Sequence, residues 1–387
     1  MFKILTLNNI SPIGLEKLPA SDYSVSDDEA APDAIILRSF KMHDMDVPAS
    51  LRAVGRAGAG VNNIPTDKLA GMGVPVFNAP GANANAVKEL VISSLLIASR
   101  NLYEAIKYTE ELEGKDEELS KAVEAGKKRY AGSELPGKTI GVVGLGAIGR
   151  MVANVCLDLG MNVVGFDPSL TVEGAWQLSS KVKRIDSVDK MLPEVDFLTV
   201  HVPLMDATRD MINADNIGLM KKSATILNMA RGGIINDDAA CNALDADKLH
   251  CYVTDFPNNR TKDCEKVINL PHLGASTAEA EDNCAVMVAD QLMDYLENGN
   301  IVNSVNFPNA TLTRGTEFRL TVANANVPNM VGQISTTMAE AGLNIQDMIN
   351  QSRGDIAYTI VDVDSEIPSS VVDAIAAIDG VMMARVV

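Results

Sequence analysis

The chain has 387 residues, 47% of them apolar, with 51 acidic side chains against 33 basic ones and a formal net charge of −18. That length exceeds what one hydrophobic core supports and predicts two or three domains, while the acidity excludes a general affinity for nucleic acid or an anionic membrane, so any anionic ligand must be captured by local basic groups. No apolar run reaches the roughly 18 residues of a membrane span and MFKILTL does not read as a cleavable leader, so a cytoplasmic protein without membrane partners is expected.

Up to about residue 80, the apolar runs FKILTL, AIILRS, LRAVGRAG and VPVFNAP alternate with turn or helical segments, as in small parallel α/β units. Ala84 to Arg100 places Val87, Leu90, Val91, Leu95 and Ile97 on one helical face. The charged stretch that follows, EELEGKDEELSKAVEAGKKRY, reads as a solvated surface helix. From KTIGVVGLGAIG onward strand and helix alternate strictly, through NVVGFDP, VDFLTVHVP, ATILNMARGG, CYVTDFP and VINLPHLG. These runs are rich in Val, Ile and Leu without polar alternation, as parallel strands covered on both faces require.

After the helix AEAEDNCAVMVADQLMDYLENG, the passage NSVNFPNATLTRGTE reads as a linker. The remainder from Phe318 reads strand, helix, strand, strand, helix, strand, a ferredoxin-like βαββαβ unit. The expected fold class is therefore α/β, with two doubly wound, Rossmann-like parallel sheets and a small C-terminal ferredoxin-like domain. The expected domains are residues 1–95 with 278–312 (substrate binding), 96–277 (inserted dinucleotide binding) and 317–387. Cys156, Cys241, Cys251, Cys264 and Cys284 have no CxxC or Cys/His spacing, so reduced core thiols are expected, with neither a disulfide framework nor a metal site.

Two segments carry chemistry. Gly144, Gly146 and Gly149 stand in GxGxxG spacing between an apolar strand and a helix opening at Ala147 and Ile148, which suits a tight turn whose amides face a pyrophosphate. Asp167, about twenty residues on, sits where a carboxylate accepts the adenosine ribose hydroxyls and repels a 2′-phosphate, favouring NAD over NADP. The alternative is a structural glycine turn with a helix-capping aspartate. In SATILNMARGGIIND, an apolar run reading as a buried strand ends in Arg231 and two glycines. A guanidinium buried there is costly unless an anion meets it, whether substrate or a core carboxylate.

The motifs GVVGLGAIGR, NMARGGIIND, VTDFP and PHLGAST, in this order, resemble those of the D-isomer-specific 2-hydroxyacid dehydrogenases. With VGRAGAGVNNI and the C-terminal unit, the likeness is to members that oxidise 3-phospho-D-glycerate and carry a regulatory ACT domain. The resemblance implies an NAD-dependent enzyme whose active site lies in a cleft between the first two domains, the helices from Ala84 and Ala278 crossing between them. Arg231 then clamps the substrate carboxylate and carbonyl, and His272 is the acid/base for the 2-hydroxyl. The chemistry asks for both: hydride loss from C2 needs a base titrating near neutrality, and a guanidinium fork matches a carboxylate and polarises the forming carbonyl.

By the same resemblance His201 lines the adenine pocket, with strand-end packing as the other reading, and Pro203, Met229, Asp255 and Gly274 join the cofactor site. Arg38, helped by Lys41, takes the 3-phosphate, while Arg56 and the backbone at Ala59 and Gly60 complete the substrate site; a solvated charge is the alternative for Arg56. In NANVPNMVGQI and AGLNIQDM, Asn324, Asn326 and Asn344 are candidate ligands for an L-serine effector, the alternative being an oligomerisation domain. Asn329 replaces the usual glycine after proline, tolerable because asparagine visits left-handed conformations. A homodimer or homotetramer is implied. One departure stands out: the family places a glutamate five residues after the aspartate to pair with the catalytic histidine, and Arg260 stands there, with Asp263 and Glu265 the nearest downstream carboxylates. Without a carboxylate partner the pKa of His272 is expected to be lower than the family's. The rival readings are a reductase of another 2-oxo acid such as hydroxypyruvate, glyoxylate or 2-oxoglutarate, and an NAD-sensing binding protein.

Overall fold

The computed structural model describes all 387 residues, which divide into two compact units, residues 1–83 with 278–387 and residues 84–277. Residue 95, the first boundary suggested by the sequence, falls inside the helix Ala84–Ser99 of the second unit.

The first unit opens with a wholly parallel sheet of β1 (Phe2–Leu7), β2 (Tyr23–Ser26), β3 (Ala34–Leu37), β4 (Ala53–Arg56) and β5 (Val76–Phe77), ordered β2-β1-β3-β4-β5. β2 escapes the sequence pattern because YSVS is a short, half-polar edge strand. All of β3 is buried, as its unbroken AIIL requires. Helix Ala278–Asn298 packs Cys284, Ala285, Val288 and Leu292 into the core under this sheet. Gly55 is forced by that approach: a Cβ there would lie 2.3 Å from Val288.

The second unit is a seven-stranded parallel sheet of β6 (Thr139–Val143), β7 (Asn162–Phe166), β8 (Lys183–Arg184), β9 (Phe197–Val200), β10 (Thr225–Asn228), β11 (Cys251–Thr254) and β12 (Val267–Asn269), ordered β12-β11-β10-β9-β6-β7-β8. Strand order reverses between β6 and β9, where open α/β sheets bind ligands beyond the carboxyl ends of the strands. Helices Ala84–Ser99 and Ala147–Asp158 pack over one face, burying Val87, Val91, Leu95, Val152 and Ala153. Of the charged stretch 110–130, expected as one surface helix, Asp116–Gly126 is α-helical; a separate helix, Leu102–Glu110, ends where that stretch begins, and Gly114 at φ +121° stands between the two.

At the C-terminal end of the first unit, β13 (Phe318–Ala325), β14 (Ile345–Arg353), β15 (Ile356–Val363) and β16 (Val381–Val386) form an antiparallel sheet ordered β14-β15-β13-β16, with helices Met330–Glu340 and Ser369–Ala376, the ferredoxin-like arrangement expected. Its strands alternate. Leu320, Val322, Val361 and Val363 face those helices, whereas Ala323, Tyr358 and Ile360 enter the core with Phe77, Tyr295 and Phe307. Residues 303–317 are therefore no free linker: Asn306 Oδ1 accepts the Val76 N–H at 2.8 Å, Ser304 Oγ donates to the Val76 carbonyl at 3.1 Å, and Phe307 is buried.

Three arginines complete this packing. Beyond the Gly299 N–H, which reaches the Tyr295 carbonyl at 2.9 Å, no further helical turn donates to the last carbonyls of helix Ala278–Asn298. Arg385 donates to Tyr295 and Leu296, Arg314 to Glu297 and Arg319 to Asn298. Cations at that end also complement the helix dipole. Arg319 and Asp362, both fully buried, form a bidentate pair at 2.6 and 2.9 Å. Burial alone would raise the Asp362 pKa, but the hydrogen bonds from Arg319 and the Gly315 N–H, with the charges of Arg319 and Arg314, hold it below the ordinary carboxylate value. No helix is long and apolar enough to cross a membrane.

Candidate functional site

Beyond the carboxyl end of β6 the backbone turns at Gly144, φ +88°, where a Cβ would lie 2.7 Å from the His201 carbonyl. Gly149 is equally obligatory, since a Cβ there would meet the Gly144 oxygen at 1.9 Å. A Cβ on Gly146 would meet nothing, so the turn is open on that side. Gly146 is the N-cap of helix Ala147–Asp158 and no side chain caps it, so the first amides of the helix, including those of Ala147 and Ile148, have no side-chain acceptor. A pyrophosphate fits that set of donors without displacing any protein group.

Asp167 stands at the end of the neighbouring strand β7, accepting the N–H groups of Leu145 and Ser169 at 2.8 Å each. Those bonds fix its carboxylate beside the turn and leave lone pairs for ribose hydroxyls. Arg150, overlooked in the sequence although it directly follows the last glycine, braces the turn through the Leu145 carbonyl at 3.2 Å. His201 follows β9, its Nε2 3.0 Å from Thr199 Oγ1, its Nδ1 buried without a partner, and burial lowers its pKa to about 4. It is neutral near pH 7, as an adenine-lining imidazole would be. Pro203 follows it at the surface.

The ends of β10 and β11 carry the second half. Met229 is buried, whereas Arg231 is exposed, against the buried guanidinium expected from the apolar run. Asn228, also overlooked, shapes the intervening turn: its Nδ2 donates to the Arg231 carbonyl at 2.9 Å and its Oδ1 accepts the Ala230 N–H at 3.2 Å. The Arg231 guanidinium donates only to the Ala230 carbonyl, at 2.7 Å, and makes no ion pair. A permanent cation is thus presented to solvent by a rigid strand end.

The Asn228 carbonyl also accepts the Asp255 N–H at 3.0 Å, tying this turn to the end of β11. Asp255 is completely buried, and its two oxygens accept the N–H groups of Leu273 at 2.7 Å and Gly274 at 2.8 Å. It therefore holds the loop that presents His272. Gly274 sits close enough that a Cβ would lie 3.3 Å from the same carboxylate. His272 itself is exposed, in the left-handed region at φ +58°, its ring packed 4.9 Å from that of Phe256. A non-glycine residue in that conformation is the kind of strain that clusters at functional sites.

No carboxylate hydrogen-bonds to His272. Arg260, in the position of the expected glutamate, donates instead to Asn242 and Asp245 at 3.1 Å each. Glu265 precedes β12 whereas the His272 loop follows it, so the two lie at opposite ends of that strand, and Asp263 caps the short helix Asn259–Lys262.

A family model, the NAD binding domain of D-isomer specific 2-hydroxyacid dehydrogenases, matches residues 92–274. D-3-phosphoglycerate dehydrogenase of Escherichia coli is 30% identical over an alignment 413 positions long that covers 99% of this chain and 97% of that protein, and its counterpart in Haemophilus influenzae is 31% identical, with 88% and 82% covered. The chain belongs to the D-isomer specific 2-hydroxyacid dehydrogenases. The Methanocaldococcus jannaschii D-3-phosphoglycerate dehydrogenase is 35% identical over 329 residues, 82% of this chain, and the chain spans 59% of that longer protein. Among solved structures, a glyoxylate reductase from Paecilomyes thermophila shares the fold, with a TM-score of 0.64 at 23% identity, covering 79% of this chain and 98% of that one.

In the first unit of this dehydrogenase, the structure brings Arg38 and Arg56 together at the ends of β3 and β4, the Arg56 Nε donating to the Arg38 carbonyl at 3.1 Å. The Arg38 guanidinium is already paired, 2.6 Å from Glu281 in the first turn of helix Ala278–Asn298, and Lys41 is exposed. The Ala59 carbonyl accepts from Asn78 Nδ2 at 2.6 Å, with Gly60 half-exposed beside it. In the C-terminal sheet, Asn324 is buried with Nδ2 on the Ala325 carbonyl, and Asn326 Nδ2 donates to Gly354 at 3.0 Å. Asn344 is not with them: its backbone bonds to Asp364, at the other end of the sheet. Asn329 adopts φ +67°, the left-handed conformation anticipated for it.

Proposed function

We propose that this protein oxidises 3-phospho-D-glycerate at C2 to 3-phosphooxypyruvate with NAD, the entry to serine synthesis, in the cytoplasm. The observation that carries the reading is an unpaired, rigidly presented Arg231 and a left-handed His272 loop locked to it through Asn228 and Asp255, within a domain whose glycine turn offers uncapped helix amides. Relatives named D-3-phosphoglycerate dehydrogenase at 30–35% identity support the substrate.

Bound NAD supplies the hydride acceptor. Arg231 binds the substrate carboxylate through two parallel N–H bonds and polarises the C2 oxygen as it becomes a carbonyl. His272 takes the hydroxyl proton at an imidazole nitrogen while C2 loses its hydride, so two electrons and one proton leave carbon and one proton leaves oxygen. Asp255 and Phe256 position that imidazole. Arg38 and Arg56, with the backbone at Ala59 and Gly60, are proposed for the phosphate and carboxylate ends. Because Asn324 and Asn344 lie roughly 20 Å apart along the sheet, one L-serine would meet both only if two copies of the chain met, which favours a homodimer or homotetramer.

The test is NADH formation from 3-phospho-D-glycerate. Arg231→Ala is expected to lower kcat/KM on the order of 10³-fold. Turnover of glyoxylate or hydroxypyruvate with NADH, and none of phosphoglycerate, would replace this reading with the reductase.

A further inference from the structure

Leu37, at the end of β3, and Met42 are both completely buried in one core of the first unit, and between them the chain leaves that core from Arg38 to Lys41. Ser39, Phe40 and Lys41 are exposed, so packing does little to fix the shape of this loop. Two asparagines brought from other strand ends fix it instead. Asn8, directly after β1, accepts the Ser39 N–H at 3.0 Å and the Phe40 N–H at 2.6 Å through its Oδ1. Asn63, in the turn between β4 and helix Thr66–Gly71, donates through Nδ2 to the carbonyls of Arg38 at 3.2 Å and Phe40 at 2.7 Å, and its own carbonyl accepts the Met42 N–H at 2.9 Å.

Both asparagines are kept at a cost. Asn8 stands in the left-handed region at φ +75°, which residues other than glycine seldom occupy. Asn63 is buried and, with its amide protons spent on two carbonyls, its Oδ1 has no partner. Turning that amide over would face its oxygen to two carbonyl oxygens, so its role as donor is fixed. A strained backbone and an unpaired buried acceptor converging on one exposed loop are features that folding alone does not ask for.

The backbone bonds leave one place open. Of the N–H groups from Ser39 to Met42, only that of Lys41 has no acceptor in the protein. That donor lies in the same short loop as the cationic side chains of Arg38 and Lys41, and Arg56 joins Asn63 on the Arg38 carbonyl at 3.1 Å. Whether both cations and the open N–H meet one anion is decided by the shape of the loop, and that shape is set by Asn8 and Asn63.

We propose that Asn8 and Asn63 are positioning residues: by fixing the loop from Arg38 to Lys41 they make the site select a phosphorylated 2-hydroxy acid over its unphosphorylated counterpart. The inference rests on the substrate reading above. The full-length chain is assayed for NADH formation from 3-phospho-D-glycerate and from D-glycerate, with a thermal scan of every variant. Asn8→Gly keeps the left-handed backbone and removes the acceptor, and Asn63→Ala removes the donor. Each should lower kcat/KM for phosphoglycerate by roughly tenfold or more, mainly through KM, while the value for D-glycerate falls by less than about threefold. The aspartate variants add the same charge to the loop, so the difference between them reports the hydrogen bonds. Asn8→Asp still accepts both N–H groups and should recover most of what Asn8→Gly loses, whereas Asn63→Asp cannot donate to either carbonyl and should be roughly tenfold worse than Asn8→Asp. A parallel fall for both substrates, or two aspartate variants of equal effect, would overturn the assignment and leave the asparagines structural. Asn8 is exposed, so its two variants carry the test if Asn63→Ala fails to fold. A wild-type chain that does not oxidise phosphoglycerate would sink the substrate reading and this inference together; phosphoglycerate turnover without the predicted discrimination would sink this inference alone.

Discussion

The His272 loop of the second unit and the docked C-terminal sheet of the first are both held by a buried carboxylate, and they differ in what meets it. Asp255 accepts two backbone N–H groups and has no ion pair. Asp362 is met by a buried arginine, and two further arginines join that one on the end of helix Ala278–Asn298. Backbone donors orient a loop at little electrostatic cost to its neighbours; an ion pair fixes two distant segments, but only while both partners remain.

The largest effect should come from breaking that pair. Arg319→Met leaves Asp362 buried and uncompensated, which costs about 3–5 kcal/mol, so the urea midpoint of the first unit should fall sharply. Replacing both residues, Arg319→Met with Asp362→Leu, should recover most of that loss, because a well-packed apolar pair avoids the desolvation penalty. A double variant as unstable as the single one would mean that the carbonyl contact to Asn298, rather than the pair, does the holding. Since the Asp362 pKa is lowered on folding, its contribution is present above the ordinary carboxylate value of 3.8 and is lost as pH falls below it.

On the other side of the comparison, Asp255→Asn keeps the shape but offers one acceptor to two N–H donors. Leaving one buried donor unpaired costs about 1–3 kcal/mol. The sharper readout is kinetic: kcat should fall with the loosened His272 loop while the KM for NAD, set largely at the glycine turn, moves little.

How much of this could be read from the sequence follows the same division. The glycine turn, Asp167, Arg231 and His272 stand out in the sequence as candidates because each sits in a contiguous motif near a strand end, where local spacing and chemistry coincide. Asn228, Phe256 and Arg150 were passed over although they adjoin those motifs, since nothing in an asparagine or phenylalanine beside a strand says which backbone group it meets. The arginine clamp was invisible: Arg314, Arg319 and Arg385 are scattered along the chain, and their common target exists only after the sheet has docked. The same holds for residues 303–317, whose turn-rich composition suggests a linker while their side chains close the edge of β5. The exposure of Arg231 was misjudged because the buried run stops two residues earlier, at Met229.

A milder effect is expected from pH. Burial depresses His201 to about 4 from an ordinary 6.5, so between those values the unfolded chain binds a proton that the folded chain refuses. Stability should therefore be complete above pH 6.5 and decline as pH falls from 6.5 toward 4, by up to about 3 kcal/mol. His201→Asn should flatten that decline in thermal scans of the second unit, and a slope unchanged by the substitution would assign it to other groups.

The smallest expected change in stability is at Arg38, and there the comparison returns to the substrate. Arg38 and Glu281 are 2.6 Å apart, both partly exposed, so Glu281→Gln should alter stability by less than about 1 kcal/mol. Its value lies in the direction of the kinetic change. If Arg38 takes the phosphate, Glu281 competes with the ligand for one guanidinium, and removing that competitor should lower the KM for 3-phospho-D-glycerate while Arg38→Ala raises it. If Glu281→Gln leaves the KM where it was, Arg38 belongs with the structural arginines of the first unit, tying β3 to the start of the same helix whose other end Arg314, Arg319 and Arg385 hold.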